Sequence, residues 1–250
     1  MNVVRAELTK FRSVSSTAWS LLSAGALIVG FGILYSMVRV TRPPADPAGF
    51  DAVGVSLSGV QVAQLAVGVL GVLVITNEYA SGLIRTTFAA VPRRGPVLWG
   101  KAVVLATAVF TLSLPAVFGA FLTGQSVLSA EHLDMSLGQR GAARAIVGAA
   151  LYLSVVALLG LGLGAILRRT AGGVAAIIGL LLGPQMLTGF LPTEWADDVY
   201  PWLPSPAGLA ITTTRPDSTL LSPWAGFAVF LLYAAIVLAL GAWRLRRSDA

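Results

Sequence analysis

Few stretches of this 250-residue chain have the residue types that chemistry needs. Residues 95–101, Gly-Pro-Val-Leu-Trp-Gly-Lys, match the first seven positions of the phosphate-binding loop G-x-x-x-x-G-K, whose backbone N–H groups and lysine hold nucleotide phosphates. The eighth position, which should be Ser or Thr to hold magnesium, is Ala102. No buried strand precedes Gly95, and Lys101 opens a long apolar stretch. There a lysine is expected to snorkel to the headgroups rather than bind nucleotide. Glu131, His132 and Asp134 bring N and O donors close together, but no further ligand group has a defined spacing to them. They read as a solvated loop. Cys is absent and there is one His, which excludes thiolate sites, a Cys nucleophile and a multi-histidine metal centre. No G-x-S-x-G elbow occurs and no acidic pair lies inside an apolar stretch. The expectation is a chain with no catalytic residues and no metal site.

Uncharged polar residues inside the apolar stretches are the remaining candidates. Ser58, Gln61 and Gln64 recur at a spacing of three, which puts them on one stripe of a helix. Thr107 and Thr111, followed by Ser113, mark a second stretch, and Gln185 with Thr188 a third. These residues either line a pathway for an amphipathic cargo or join helices through hydrogen bonds of about 0.6 to 2 kcal/mol each.

The elements that must position them follow from composition. Hydrophobic residues make up 56% of the chain and charged ones 11%, far below the roughly one-quarter of soluble domains. Lipid is therefore the expected solvent. A membrane helix needs about 20 mostly apolar residues, and six stretches qualify: 17–38, 57–76, 97–122, 143–167, 171–191 and 223–243. Period-two alternation is too weak for a barrel, so the expected fold is all-α, a single six-span transmembrane domain over residues 1–250. Gly160 with Gly164, and Gly179 with Gly183, have the small-xxx-small spacing of closely packed membrane helices.

Positive charge sets the expected orientation. Arg5, Lys10 and Arg12 precede span one, Arg85, Arg93, Arg94 and Lys101 fall between spans two and three, Arg168 and Arg169 between four and five, and Arg244, Arg246 and Arg247 after six. The other side holds Arg39, Arg42, Arg140, Arg144 and Arg215. Both termini are then cytoplasmic. The net charge of +6 reflects that topology and contact with anionic membrane lipid, and nucleic acid is not an expected partner. Span one is too long, and too bulky at its end, for a cleavable signal peptide.

Three segments are not spans. Val4, Leu8 and Phe11 recur at helical spacing within residues 1–16, which predicts a short interfacial helix. Residues 77–100 continue from span two without a turn residue until Gly82, and the apolar positions Leu83, Ile84, Thr87, Phe88 and Val91 predict an amphipathic helix stopped by Pro92. Its apolar side needs a partner surface. Residues 190–222 interleave prolines with Trp195, Tyr200 and Trp202, and are expected to lie along or dip into the outer interface.

An interfacial helix, six spans, and a segment carrying Glu78, Gly82, Pro92-Arg93-Arg94 and Gly100-Lys101 together resemble the ABC-2 family of transporter permeases. In that family the pattern E-x-x-x-G, then P-x-x-R, then GK marks the region that meets the ATP-binding subunit. Residues 200–210, YPWLPSPAGLA, resemble its external re-entrant region. The sequence likeness rests on about 25 residues, and Asn77 departs from the commonest form of the motif. The resemblance implies the membrane half of a bacterial exporter in the plasma membrane, paired with a second copy or a paralogue and with cytosolic ATPase subunits. ATP and Mg would be bound by those partners, and no cofactor by this chain. Glu78, Tyr79, Gly82, Arg85, Pro92, Arg93 and Arg94 would form the docking segment, and Ser58, Gln61, Gln64, Thr107, Thr111 and Gln185 the pathway. The alternative is a polytopic sensor or anchor that signals through residues 77–100 and transports nothing. The ratio of 15 Arg to 2 Lys, with abundant Ala and Gly, points to a GC-rich bacterial genome.

Overall fold

A computed structural model describes residues 15–42, 49–84, 94–215 and 220–247. All regular structure among them is helical. Six helices are long and apolar enough to cross a membrane, which fits a multi-pass membrane protein. They are α1 (Ser15–Thr41), α3 (Gly59–Ala80), α4 (Arg94–Leu128), α5 (Ala142–Leu167), α6 (Thr170–Thr188) and α9 (Pro223–Arg247). Three short helices are bounded among the described residues: α2 (Ala52–Ser56), α7 (Thr193–Val199) and α8 (Pro204–Leu209). The expected interfacial helix over residues 1–16 lies outside the described residues except for the first two positions of α1.

Each span outlives or undershoots its apolar run for a local reason. The second continues to Ala80, because Asn77, Glu78 and Tyr79 all tolerate helix and the helix breaks only at Ser81 and Gly82, where Gly82 takes φ +74. Only glycine adopts that left-handed conformation without strain. The third is 35 residues long and accommodates Pro115 within it. The fourth ends where Arg168 adopts φ 58 and its N–H caps the Gly164 carbonyl. The fifth stops at Thr188, three residues before the expected boundary.

Helix α5 is the centre of the bundle. Of its most apolar window 78% is buried, against 17% for α6 and 22% for α1, which are peripheral. It packs on α3, α4 and α9, while α1 packs on α3 and α4. The α3–α5 contact is set by small residues. A Cβ at Gly71 would meet the Ala157 carbonyl, one at Gly160 the Gly68 carbonyl, and one at Gly164 the Ile75 side chain. Backbones this close gain dispersion and Cα–H contacts that larger residues forbid. Gly179 and Gly183 have the same spacing, but nothing lies within 4 Å of an added Cβ at either, so neither packs under another helix. Spacing predicted two tight crossings, and the bundle uses one. The outer faces of α1 and α6 carry exposed apolar side chains such as Trp19, Leu22, Ile178, Met186 and Leu187, as a surface bathed in lipid would.

The connection after α6 does not loop freely. A 3₁₀ turn at Tyr200–Trp202 leads into α8, and a second at Ala210–Thr212 leaves it. Residues 204–208 are buried, with Gly208 packed under the Tyr152 and Phe230 rings, which are themselves 5.0 Å apart. Thus the segment dips into the bundle against α5 and α9.

Candidate functional site

The candidate residues fall at opposite ends of α3. At its C-terminal end, the last turn reaches two neighbours. Glu78 is paired with Lys101 of α4, Nζ to Oε1, at 2.7 Å, with both side chains almost wholly buried. Lys101 was expected to snorkel to the headgroups, but an ammonium this deep is stable only against a counter-charge, and the carboxylate supplies it. Residues 95–101 form the first two turns of α4 with Pro96, which has no N–H, inside them, so the backbone is helical here and does not wind as the loop of a phosphate site. Next to Glu78, the ring of Tyr79 lies 5.4 Å below the Arg168 guanidinium, which also donates to the Arg244 carbonyl of α9 at 3.3 Å. Two adjacent residues therefore tie α3 to α4, α5 and α9.

From this clamp the chain leaves through Ser81, whose hydroxyl donates to the Asn77 carbonyl at 2.7 Å, and through Gly82. Leu83 is exposed and Ile84 buried. Arg85, Pro92 and Arg93 lie outside the described residues, as does most of the expected amphipathic helix, and Arg94 enters through its backbone as the first residue of α4.

At the other end of α3, a cleft of about 800 Å³ opens between α1, α2, α3, α6 and the turns around α8. It brings together three of the six pathway candidates, Ser58, Gln61 and Gln185. The Ser58 hydroxyl makes no hydrogen bond to any described residue. Gln61 is exposed, and Gln185 donates through Nε2 to the Leu181 carbonyl at 2.6 Å. Sequence reasoning missed the remaining walls, among them Tyr35, Arg39, Phe50, Asp51 and Tyr200. They come from segments distant in sequence, and no periodicity links them.

Gln64 is elsewhere. It is 2% exposed, and its Oε1 accepts from the Tyr152 hydroxyl of α5 and from Ser205 Oγ of α8 at 3.2 Å, while Nε2 donates to the Gln61 carbonyl at 2.8 Å. Both acceptor positions of Oε1 are used in joining α3 to α5 and α8. Thr107 and Thr111 lie on an exposed face of α4, where Thr111 Oγ1 donates to the Thr107 carbonyl at 2.7 Å. The structure does not bring them to the cleft.

The cleft floor is fixed by a second polar set. Asp51 Oδ1 accepts from Gly54 N–H at 2.9 Å and from Thr214 Oγ1 at 2.5 Å, and Oδ2 from Thr214 N–H at 3.0 Å. The first of these caps α2. Gln125 of α4 donates to the Ala52 carbonyl at 3.1 Å and to Ser56 Oγ at 3.0 Å, and accepts from Met135 N–H at 2.6 Å. Arg144 donates to the Thr213 carbonyl. Among the described residues no group of three or more His, Cys, Asp or Glu side chains converges as a metal site. Glu131, His132 and Asp134 are exposed beside a 3₁₀ turn, where His132 adopts φ 56. Comparison with protein-family profiles and with curated proteins gives no match to this chain.

Proposed function

We propose that this chain is the membrane-spanning permease subunit of an ATP-driven exporter in a bacterial plasma membrane, with both termini cytoplasmic. The observation that supports this reading is the double engagement of α3. One end of it lines a cleft large enough for a small amphiphile, and the other is clamped to three spans where the chain enters the segment between spans two and three. Gln61 and Glu78 are separated by about 25 Å along that helix at 1.5 Å per residue. A rigid, close-packed helix transmits a push along its length.

In this reading a cytosolic ATPase subunit, which binds ATP and Mg, docks on the segment from Tyr79 to Arg94, with Gly82, Arg85, Pro92 and Arg93 within it. Closure of the ATPase displaces the clamp, and α3 carries the displacement to Ser58 and Gln61, opening or closing the cleft. A second copy, or a paralogue, completes the pathway.

The test is co-expression with the ATPase encoded beside this chain, followed by affinity purification through the permease. A stable complex whose ATP hydrolysis is stimulated by the permease is the expected result. Failure to recruit that ATPase would sink the reading. If deletion of the chain leaves every export and susceptibility profile unchanged, the sensor reading replaces it.

A further inference from the structure

We propose that the cleft at the N-terminal end of α3 binds an amphiphile with a single anionic group, held by Arg39. Arg39 lines the cleft, is exposed, and makes no ion pair with any described residue. The other charged side chain in the described wall, Asp51, is engaged differently. Its two oxygens already accept three hydrogen bonds from Gly54 and Thr214, most of a carboxylate's capacity. With those bonds made it keeps its negative charge but little hydrogen-bonding capacity for a cationic ligand, whereas the guanidinium fork, which pairs with no carboxylate among the described residues, can take a carboxylate or phosphate in two parallel bonds.

The rest of the wall fits the body of such a molecule. Tyr35, Phe50, Val55 and Leu209 offer apolar surface, and the exposed Gln61 carboxamide, which has no hydrogen-bond partner among the described residues, accepts from or donates to a neutral polar group. A volume of about 800 Å³ holds a molecule of drug or lipid-headgroup size. The same chemistry belongs to an anionic lipid of the bilayer and to a smaller anionic amphiphile. That the ligand is cargo rests on the exporter reading; its binding does not, because it is read on the permease chain alone, without an ATPase.

The experiment uses dansyl-undecanoic acid, its primary amide and a trimethylammonium counterpart, with tryptophan-to-dansyl energy transfer as the readout. The full chain is held in maltoside micelles and the signal of empty micelles is subtracted. The acid is expected to bind saturably and about tenfold more tightly than the amide, with the cation weakest. Arg39→Gln should remove about that tenfold for the acid and leave the amide unchanged, which also shows the cleft intact; Arg39→Lys should recover most of the loss. Arg42→Gln, three residues on and outside the cleft wall, should bind as the unmodified chain does. Displacement by added phosphatidylglycerol identifies a bilayer lipid as the natural occupant, and its failure to displace identifies a smaller amphiphile. Equal binding of acid, amide and cation to the unmodified chain overturns the proposal, as does equal weakening by Arg39→Gln and Arg42→Gln or the absence of saturable binding.

Discussion

Glu78 and Lys101 show how much a residue's role depends on what stands opposite it. Glu78 is the one charge in α3 and Lys101 lies two turns into α4; the two helices are consecutive spans, so these ends lie on the same side of the bundle. That antiparallel arrangement was a signal available in the sequence; a lone lysine at a span boundary instead reads as a snorkelling group. Removing one partner strands the other charge. Glu78→Ala or Lys101→Ala should each cost about 3 kcal/mol or more, while the paired replacement Glu78→Gln with Lys101→Met should cost less than either single change. Thermal denaturation in detergent, followed by size-exclusion chromatography, measures all three. At Gly82 the strain is backbone alone, since nothing lies within 4 Å of an added Cβ. Gly82→Val should cost about 1–3 kcal/mol and Gly82→Asn less, because Asn tolerates the left-handed region; melting temperatures of the two variants check the order. Tyr152→Phe removes one donor to Gln64 Oε1 but leaves Ser205 in place, so a loss of about 1 kcal/mol is expected in the same assay.

At the scale of elements, identical spacings have different outcomes. Gly160 and Gly164 fit under α3, whereas Gly179 and Gly183 have open space around them. Gly160→Leu should separate α3 from α5 and cost several kcal/mol, because it meets backbone and not a flexible side chain, while Gly179→Leu should leave the isolated chain's stability within about 0.5 kcal/mol. Comparing the two by thermal melting in detergent decides it; equal destabilisation would contradict the packing. The same divergence runs through the polar stripe of α3. Ser58 and Gln61 face a cleft and Gln64, one turn on, is consumed in joining α5 and α8. A stripe at a spacing of three drifts around the helix, and the burial of α5 against α3 falls on that drift.

For the whole molecule, six crossings would put both chain termini on one side of the membrane, and in the proposed orientation the positive charge makes that side the cytoplasm. A cysteine placed at Ser81 should react with a membrane-impermeant maleimide only after the cells are opened, and one at Leu137 in intact cells; the reverse pattern would invert the proposed orientation. These positions are exposed and lie beyond opposite ends of the spans. Tyr200, Pro206, Leu209, Thr212, Thr213 and Leu220 line part of the cleft at one end, and the α3 clamp stands at the other.

Apolar length alone determined that the chain is helical with six helices able to cross a membrane, because hydrocarbon thickness imposes a minimum run of apolar residues and leaves backbone groups no partners outside a helix. Spacing alone also gave the polar stripe and the glycine pairs. Which face of each helix meets which neighbour was decided only in three dimensions. Side chains as far apart in sequence as Arg39, Gln61, Gln185 and Tyr200 share one cleft, and Gln64, Tyr152 and Ser205 one buried network. Membrane helices lack the strong polar-out, apolar-in asymmetry that fixes helix rotation in water, so close packing and hydrogen-bond satisfaction set that rotation instead.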